Sequence, residues 1–347
     1  MRIYKDPILN FLEFFNEANG VLIRTNIIDE NGKETIQSPN FRSYPELIDI
    51  GIMGHCLSGN ICKRVGVDCY QGNIQRTNMA FSNFKNIIEQ SKGKTFQVAL
   101  GGKGDPNKYE FFKEALEVCA ENGIIPNLTT SGVNLLDEEV LLMKKYCGAV
   151  AVSWYSKLIL INGKYCESNQ ISLIAVDKLI SKDIRTNIHF VVNNENIDEL
   201  IIRLKHNLFP QNINALILLL YKAVGNGMKE KCINYDDPRI DELFNIIKES
   251  KTNFKIGFDT CFTPLVRKKI PSIAEESLDY CESGRFSCYI SSDYKLYSCS
   301  FLQEFALGKN LKDIKIQDAW FDIIKNRINN KNGECIVGLN KCILKNK

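Results

Sequence analysis

Six stretches of short apolar run followed by amphipathic helix pattern, between residues 47 and 251, constrain this chain more than any other feature. Leu47 to Met53 reads as a first strand and Phe81 to Gln90 as its returning helix. Phe96–Gly102, Ile124–Thr130, Gly148–Tyr155, Thr186–Val192 and Ala215–Tyr221 read as further strands. Tyr109–Glu121, Leu136–Tyr146, Ile171–Ser181, Ile197–Lys205 and Pro238–Lys251 carry the 3.6-residue apolar spacing of the intervening helices. Such units pair as parallel strands joined by crossover helices. The strands are apolar at successive positions (Val150, Val152; Leu218, Leu219, Leu220), as expected where a sheet is covered. Periodicity alone leaves an open doubly wound sheet and a partial barrel equally possible.

The flanks differ. In residues 1–44, Val21–Ile28 and Lys33–Ile36 read as a hairpin turning at Asn31-Gly32, an accessory to the sheet. Beyond residue 252 the alternation stops, and residues 253–347 hold a hairpin from Tyr289 to Tyr297 and an amphipathic helix from Ile316 to Ile328. The expected organisation is thus 1–44, 45–252 and 253–347.

With 347 residues the chain can bury a large core without a metal or disulfide. Its 44 basic and 41 acidic residues nearly balance, at a net +3, so nucleic acid is not an expected partner. No run approaches the ~20 apolar residues of a membrane span, and the start of the chain lacks an export core. The expected location is the cytoplasm, and there 13 cysteines need a reason other than disulfides. Cys119 and Cys147 fit the role of small buried hydrophobes. Two groups do not: Cys56, Cys62 and Cys69 in one loop, and Cys261, Cys281, Cys288, Cys299, Cys335 and Cys342 in the tail.

The first group lies in a polar, glycine-containing loop at the C-terminal end of the first strand, where α/β proteins place ligand sites. Thiolates suit zinc, copper(I) and iron–sulfur clusters. Three on one loop leave a metal position open, whereas a closed zinc site needs a fourth ligand such as His55 or a distant cysteine.

From Pro45 to about Gly227 the chain resembles the radical S-adenosylmethionine (radical SAM) family, in which this loop binds a [4Fe–4S] cluster. An aromatic residue follows the last cysteine, here Tyr70 after Cys69. The family's usual spacing is C-x3-C-x2-C; here it is C-x5-C-x6-C, with Gly66 in place of the middle cysteine, so the resemblance assigns the second thiolate to Cys62. Gly101, Gly102, Gly104 and Asp105 resemble the glycine-rich segment that meets the methionine amino group. Thr130 and Ser131 resemble the family's third strand end. Ser153 resembles a ribose- or carboxylate-contacting serine, and Asn187 a ligand-facing position. For these last two, ordinary strand-end polarity is the alternative. Leu219–Gly227 resembles an adenine support. His189 reads as a packed core histidine, while Tyr155 and Lys222 read as rim residues.

The tail resembles a SPASM or twitch extension. This implies one auxiliary iron–sulfur cluster on Cys281, Cys299, Cys335 and Cys342, with Cys261 as substitute and Cys288 spare. The resemblance therefore implies a partial (β/α)6 TIM-like barrel with a small cysteine-rich C-terminal extension, two clusters and S-adenosylmethionine. It implies oxidoreductase-type radical chemistry in which a 5′-deoxyadenosyl radical takes hydrogen from a peptide or protein side chain, or from a small molecule to be dehydrogenated. It also implies a flavodoxin- or ferredoxin-type one-electron donor. The competing reading is a zinc-binding interaction protein with two cysteine-rich knobs.

Overall fold

The computed structural model describes residues 1–34, 40–274 and 277–329. Cys335 and Cys342 lie outside the described residues. The chain opens with β1 (Arg2–Lys5), β2 (Phe11–Phe15), β3 (Leu22–Asn26) and β4 (Leu47–Met53), then α1 (Gly59–Arg64) and α2 (Phe81–Ser91). There follow β5 (Gln97–Gly102), α3 (Phe112–Glu121), β6 (Ile125–Thr130), α4 (Asp137–Tyr146) and β7 (Val150–Ser153). A hairpin of β8 (Leu158–Ile161) and β9 (Lys164–Glu167) precedes α5 (Ile171–Ile180), β10 (Thr186–Val192), α6 (Ile197–Lys205) and β11 (Ala215–Leu220). The remainder is α7 (Pro238–Glu249), β12 (Lys255–Phe258), α8 (Thr263–Lys269), β13 (Ser287–Ile290), β14 (Lys295–Tyr297), β15 (Lys309–Asn310) and α9 (Ile316–Asn329).

One sheet takes in most of the strands, in the order β12-β11-β10-β7-β6-β5-β4-β13-β14-β15. From β12 to β13 every pairing is parallel. This order decides between the two architectures left open by periodicity. Between β4 and β12 each strand of the sheet sits beside the one before it in the chain, and the order never reverses. Right-handed crossovers then carry all the helices to one face. A doubly wound sheet needs a reversal to cover both.

The strands show the same division. Ile48, Ile50, Ile52, Val98, Leu128, Val150, Val152, Ile188, Leu216 and Leu218 are buried toward the helices. The alternate positions, among them Asp49, Gly51, Ala99, Gly101, Asn127, Thr129, Ser153 and His189, are small or polar and line the other, lumen face. The fold is α/β with a large, mostly parallel sheet.

The sheet runs beyond residue 252. β12 pairs with β11 as a further parallel strand, with Leu216 opposite Ile256. Its sequence, Lys255-Ile256-Gly257-Phe258, is too short and too mixed to register as a strand by pattern. The hairpin of β8 and β9 turns at Asn162-Gly163, a strong turn signal inserted between β7 and α5. The expected N-terminal hairpin is instead a three-stranded antiparallel sheet in which β3 pairs with β2. Only an isolated bridge, Ile28 to Glu34, spans the Asn31-Gly32 turn. The pattern of β2 is masked by Glu13, which points inward between Phe11 and Phe15 and forms a fully buried ion pair of 2.9 Å with Arg42.

The tail continues the main sheet. β13 lies parallel to β4 with Tyr289 opposite Asp49. Cys288, 1% exposed, packs in the central core and is thereby accounted for as a buried hydrophobe. Trp320 of α9 is fully buried, and its Nε1 donates to the Arg42 carbonyl at 2.8 Å.

Candidate functional site

The loop carrying Cys56, Cys62 and Cys69 leaves β4 at the C-terminal edge of the parallel sheet, and it is held at several points. Gly54 N donates to Asn78 Oδ1 at 3.1 Å, and a side chain at Gly54 would collide with the Thr77 carbonyl. Asp68 accepts from the Tyr221 hydroxyl at 3.1 Å and pairs with Lys231 at 2.8 Å. Asn226 N donates to the Cys69 carbonyl at 3.1 Å. Lys103 donates to the Gly72 carbonyl at 3.1 Å and also to that of Ile74. The β5 end and the β11 end thus grip the loop from both sides.

The three thiols are half-buried, and Cys56 and Cys69 are close enough to act on the ionisation of Cys62. Burial pushes Cys62 up to about 12, and Cys56, Asp105 and Cys69 add to the rise. Cys69 is raised chiefly by burial, with Lys103 opposing. Among the described residues no three His, Cys, Asp or Glu side chains are gathered as a single-ion centre.

The glycines of β5 and its exit each have a distinct role. Gly102 has φ +121°, and a Cβ there would strike the Met53 carbonyl. A Cβ on Gly104 would stand 2.5 Å from the His55 carbonyl and 3.4 Å from Cys56 Cα. Both glycines let the strand end lie against the cysteine loop. Gly101 is different. It is the parallel partner of Gly51 on the lumen face. The Tyr289 ring fills the space a Gly51 side chain would take, while a Cβ on Gly101 would meet nothing within 4 Å. Bare backbone at Gly101 therefore faces open space on the strand whose exit, at Gly104, lies against the cysteine loop, as a ligand amine or carboxylate requires.

Other expected residues fall elsewhere. The Asp105 carboxylate is occupied by Ser131, accepting from its backbone N at 2.6 Å and its hydroxyl at 2.5 Å. Burial raises its pKa while these bonds oppose the rise. Asp105 and Ser131 thus tie the β5 and β6 ends together. Thr130 is 1% exposed on the helix-facing side, where its Oγ1 accepts from Gly132 N, so the lumen-facing residue of that strand end is Thr129. Asn187 is the second residue of β10, at the end of the barrel opposite the cysteine loop, where it accepts from Asn214 at 2.7 Å. Ser153 does end β7 on the lumen face, opposite His189 in register. The Tyr155 hydroxyl is raised in pKa mainly by burial and further by Cys62, with Ser153 opposing the rise. Tyr155 therefore belongs to the site more firmly than its sequence position indicated.

Two titratable groups of the lumen face, Asp49 and His189, gave no sequence signal. Burial alone raises Asp49 to about 6 and lowers His189 to about 4. Both are shifted toward the neutral form.

In the tail, Ser283 donates to the Ser298 carbonyl at 2.8 Å, drawing the residues after Cys281 toward Cys299. Thr263 donates to the Asp279 carbonyl at 2.7 Å, which brings the Cys261 segment to the Cys281 segment. The tail also touches the first loop: Tyr70 and Phe301 rings lie 4.9 Å apart, and Arg76 pairs with Asp293 at 3.1 Å.

No family model matches the chain, and no curated protein matches its sequence. Solved structures do. The structure of Streptococcus suis SuiB bound to precursor peptide SuiA superposes with a TM-score of 0.63 at 17% identity, over 87% of this chain and 74% of that one. SuiB bound to S-adenosylmethionine gives 0.61 at 16% identity, over 83% and 69% of the two chains. Native anSMEcpe with bound AdoMet and Cp18Cys peptide gives 0.56 at 15% identity, over 86% and 88%. The chain shares with these proteins the fold that its resemblance to radical SAM enzymes implies.

Proposed function

We propose that a chain with this fold is a radical SAM enzyme holding a [4Fe–4S] cluster on Cys56, Cys62 and Cys69, with S-adenosylmethionine bound along Gly101. The reading is supported by three thiols of one loop, two of which act on Cys62, and by the β5 exit, where Gly104 lies against Cys56 and Gly101 has open side-chain space on the lumen face. The donor set fits the group: three soft ligands in one loop leave one iron free for the cofactor's amine and carboxylate. When bound, cluster and cofactor supply one-electron cleavage of a carbon–sulfur bond and a 5′-deoxyadenosyl radical that removes hydrogen from the substrate.

The chain's own residues bind, orient and shield. Gly102 and Gly104 keep the β5 end flush with the loop. Ser153 and Tyr155 present hydroxyls on the wall near the thiols, and the tyrosines around the loop exclude water. Asn187 and Thr130 are not carried forward as cofactor contacts, given where they stand. The substrate reading favoured is a peptide or protein side chain, supported by the peptides bound in the SuiB and anSMEcpe structures. An auxiliary cluster on Cys281 and Cys299, with Cys261 as a nearby further ligand, is part of the proposal.

The test is anaerobic purification with iron and sulfide analysis, followed by reduction in the presence of S-adenosylmethionine. We expect about four irons and four sulfides in the first site, and 5′-deoxyadenosine formation abolished by Cys62→Ala. A colourless, zinc-loaded protein would falsify the reading.

A further inference from the structure

We propose that Asp49, with the Tyr289 ring beside it, forms a subsite in the barrel lumen for an organic cation, the sulfonium or ammonium group of a bound ligand. The proposal deepens the radical SAM reading and rests on it for the two kinds of ligand concerned.

Asp49 is the third residue of β4. Its chain neighbours Ile48 and Ile50 are fully buried toward the helices, whereas Asp49 faces the lumen and keeps some exposure there. Beside it in register stand Ala99 of β5 and Tyr289 of β13. Two residues further along the same face lie Gly51 and its partner Gly101, so the wall around Asp49 is built of very small side chains. The Tyr289 ring leans along β4 until its hydroxyl fills the space of a Gly51 side chain. Asp49 acts on the hydroxyls of both Tyr289 and Tyr70. A carboxylate bordered by aromatic rings has the composition of an organic-cation site.

Other carboxylates withdrawn from solvent are matched. Glu46 accepts from Arg24 at 3.0 Å and Asp105 from Ser131, while Asp68 pairs with Lys231 and Asp259 with Lys222 at 3.5 Å. Asp49 has no hydrogen bond or ion pair with a described residue, and no lysine or arginine acts on it. Of the groups that face it or share its surroundings, Tyr70, Tyr289 and Cys288 are held protonated by burial, and His189 of β10 is held neutral. Arg76, which acts on Tyr289, is paired with Asp293 at 3.1 Å. The lumen wall therefore carries an unmatched negative charge once Asp49 ionises. Such a charge costs stability until an opposite one joins it. The chain supplies none, so the match arrives with the ligand. Both the sulfonium that S-adenosylmethionine carries and the ammonium of a basic substrate side chain meet that need.

The test compares the full, cluster-loaded chain with its Asp49→Asn variant, which keeps the shape and removes the charge. S-adenosylmethionine and S-adenosylhomocysteine, uncharged at sulfur, probe for the sulfonium. n-Butylammonium and n-butanol, added to protein saturated with S-adenosylhomocysteine, probe for the ammonium. If the cofactor is the source, calorimetry should show wild type preferring S-adenosylmethionine to S-adenosylhomocysteine by about tenfold or more, and the variant binding the two alike. If the substrate is the source, that preference is the same in both proteins, and n-butylammonium, but not n-butanol, raises the thermal midpoint of wild type alone. In either case the cation should drive a fraction of a proton off Asp49 near pH 6, seen as a buffer-dependent heat of binding in wild type only. A carboxylate with a merely structural role would give no such release. The subsite is overturned if wild type and variant respond alike to both cations, or release protons equally. The radical SAM reading fails separately, in a chain that takes up no iron and sulfide, whatever its choice between cation and neutral analogue.

Discussion

The Tyr221 hydroxyl donates to Asp68 Oδ2 at 3.1 Å, joining the end of β11 to the cysteine loop that leaves β4. Those strands are separated in the sheet by β5, β6, β7 and β10, so the bond spans the mouth of the barrel. Together with the Lys231 ion pair it fixes Asp68, and the neighbouring Cys69 with it.

Replacing Asp68 by alanine should therefore loosen the loop more than it destabilises the fold. Losing a charge-assisted hydrogen bond costs about 1.5–3 kcal/mol, which at about 1.4 kcal/mol per decade amounts to a tenfold effect or more. The expected outcome is iron release to a chelator at least several-fold faster than wild type, read by the absorbance of the chelate. Equal release rates would show that Asp68 does not hold the loop.

Two glycines a few residues apart should respond in opposite ways. Gly101→Ala adds a methyl group to open space, so the thermal midpoint should stay close to wild type while S-adenosylmethionine binding weakens tenfold or more. Gly104→Ala forces a Cβ to within 2.5 Å of the His55 carbonyl and should destabilise the fold, by about 1–3 kcal/mol. Calorimetric titration and thermal denaturation separate the two. The assignment of Gly101 is lost if its variant binds the cofactor normally.

Acid stability should reveal the two lumen groups. The folded-state pKa of His189 is lowered to about 4, so between the ordinary ~6.5 and that value only the unfolded chain takes up the proton. Stability is lost across that window as pH falls, and His189→Gln should flatten the decline. Asp49 works the other way. Its folded-state pKa is raised to about 6, so below that pH the folded form is protonated first and gains stability until the unfolded chain follows near ~3.9. Asp49→Asn should gain most at neutral pH and lose its advantage on acidification. Thermal midpoints from pH 4.5 to 7.5 check both; curves parallel to wild type would refute them.

Trp320 should report on how firmly the tail is bound to the barrel. It is fully buried and bonded through Nε1 to Arg42. Trp320→Ala should cost about 3–5 kcal/mol, and the barrel and tail should unfold in one transition in urea. Two separated transitions would contradict this coupling.

Several elements were legible because a single periodicity governed them: β4, β10 and α6 begin and end where the apolar spacing does. The cysteine loop was legible because three thiols in one polar segment have few structural uses. The sequence does not show which of Thr129 and Thr130 meets the lumen, because a strand end has two faces and only the register tells them apart. Asn187 stands at the start of β10, and which end of the barrel a residue of a parallel strand serves does not show in its local sequence. Asp49 and His189 are isolated residues in apolar strands, and nothing local distinguishes them from packing. The partners of Asp68, at Tyr221 and Lys231, lie far along the chain, joined only by the closing of the rim.

The parallel pairing of β13 with β4 makes the C-terminal segment the missing edge of the strand that launches the cysteine loop. Cutting the chain ahead of β13 would leave the hydrogen-bonding groups along that side of β4 bare, an invitation to self-association. Such a tail is not a cassette that could be shuffled onto or off a finished barrel. Change in one must be answered in the other, so the two are expected to diverge in step.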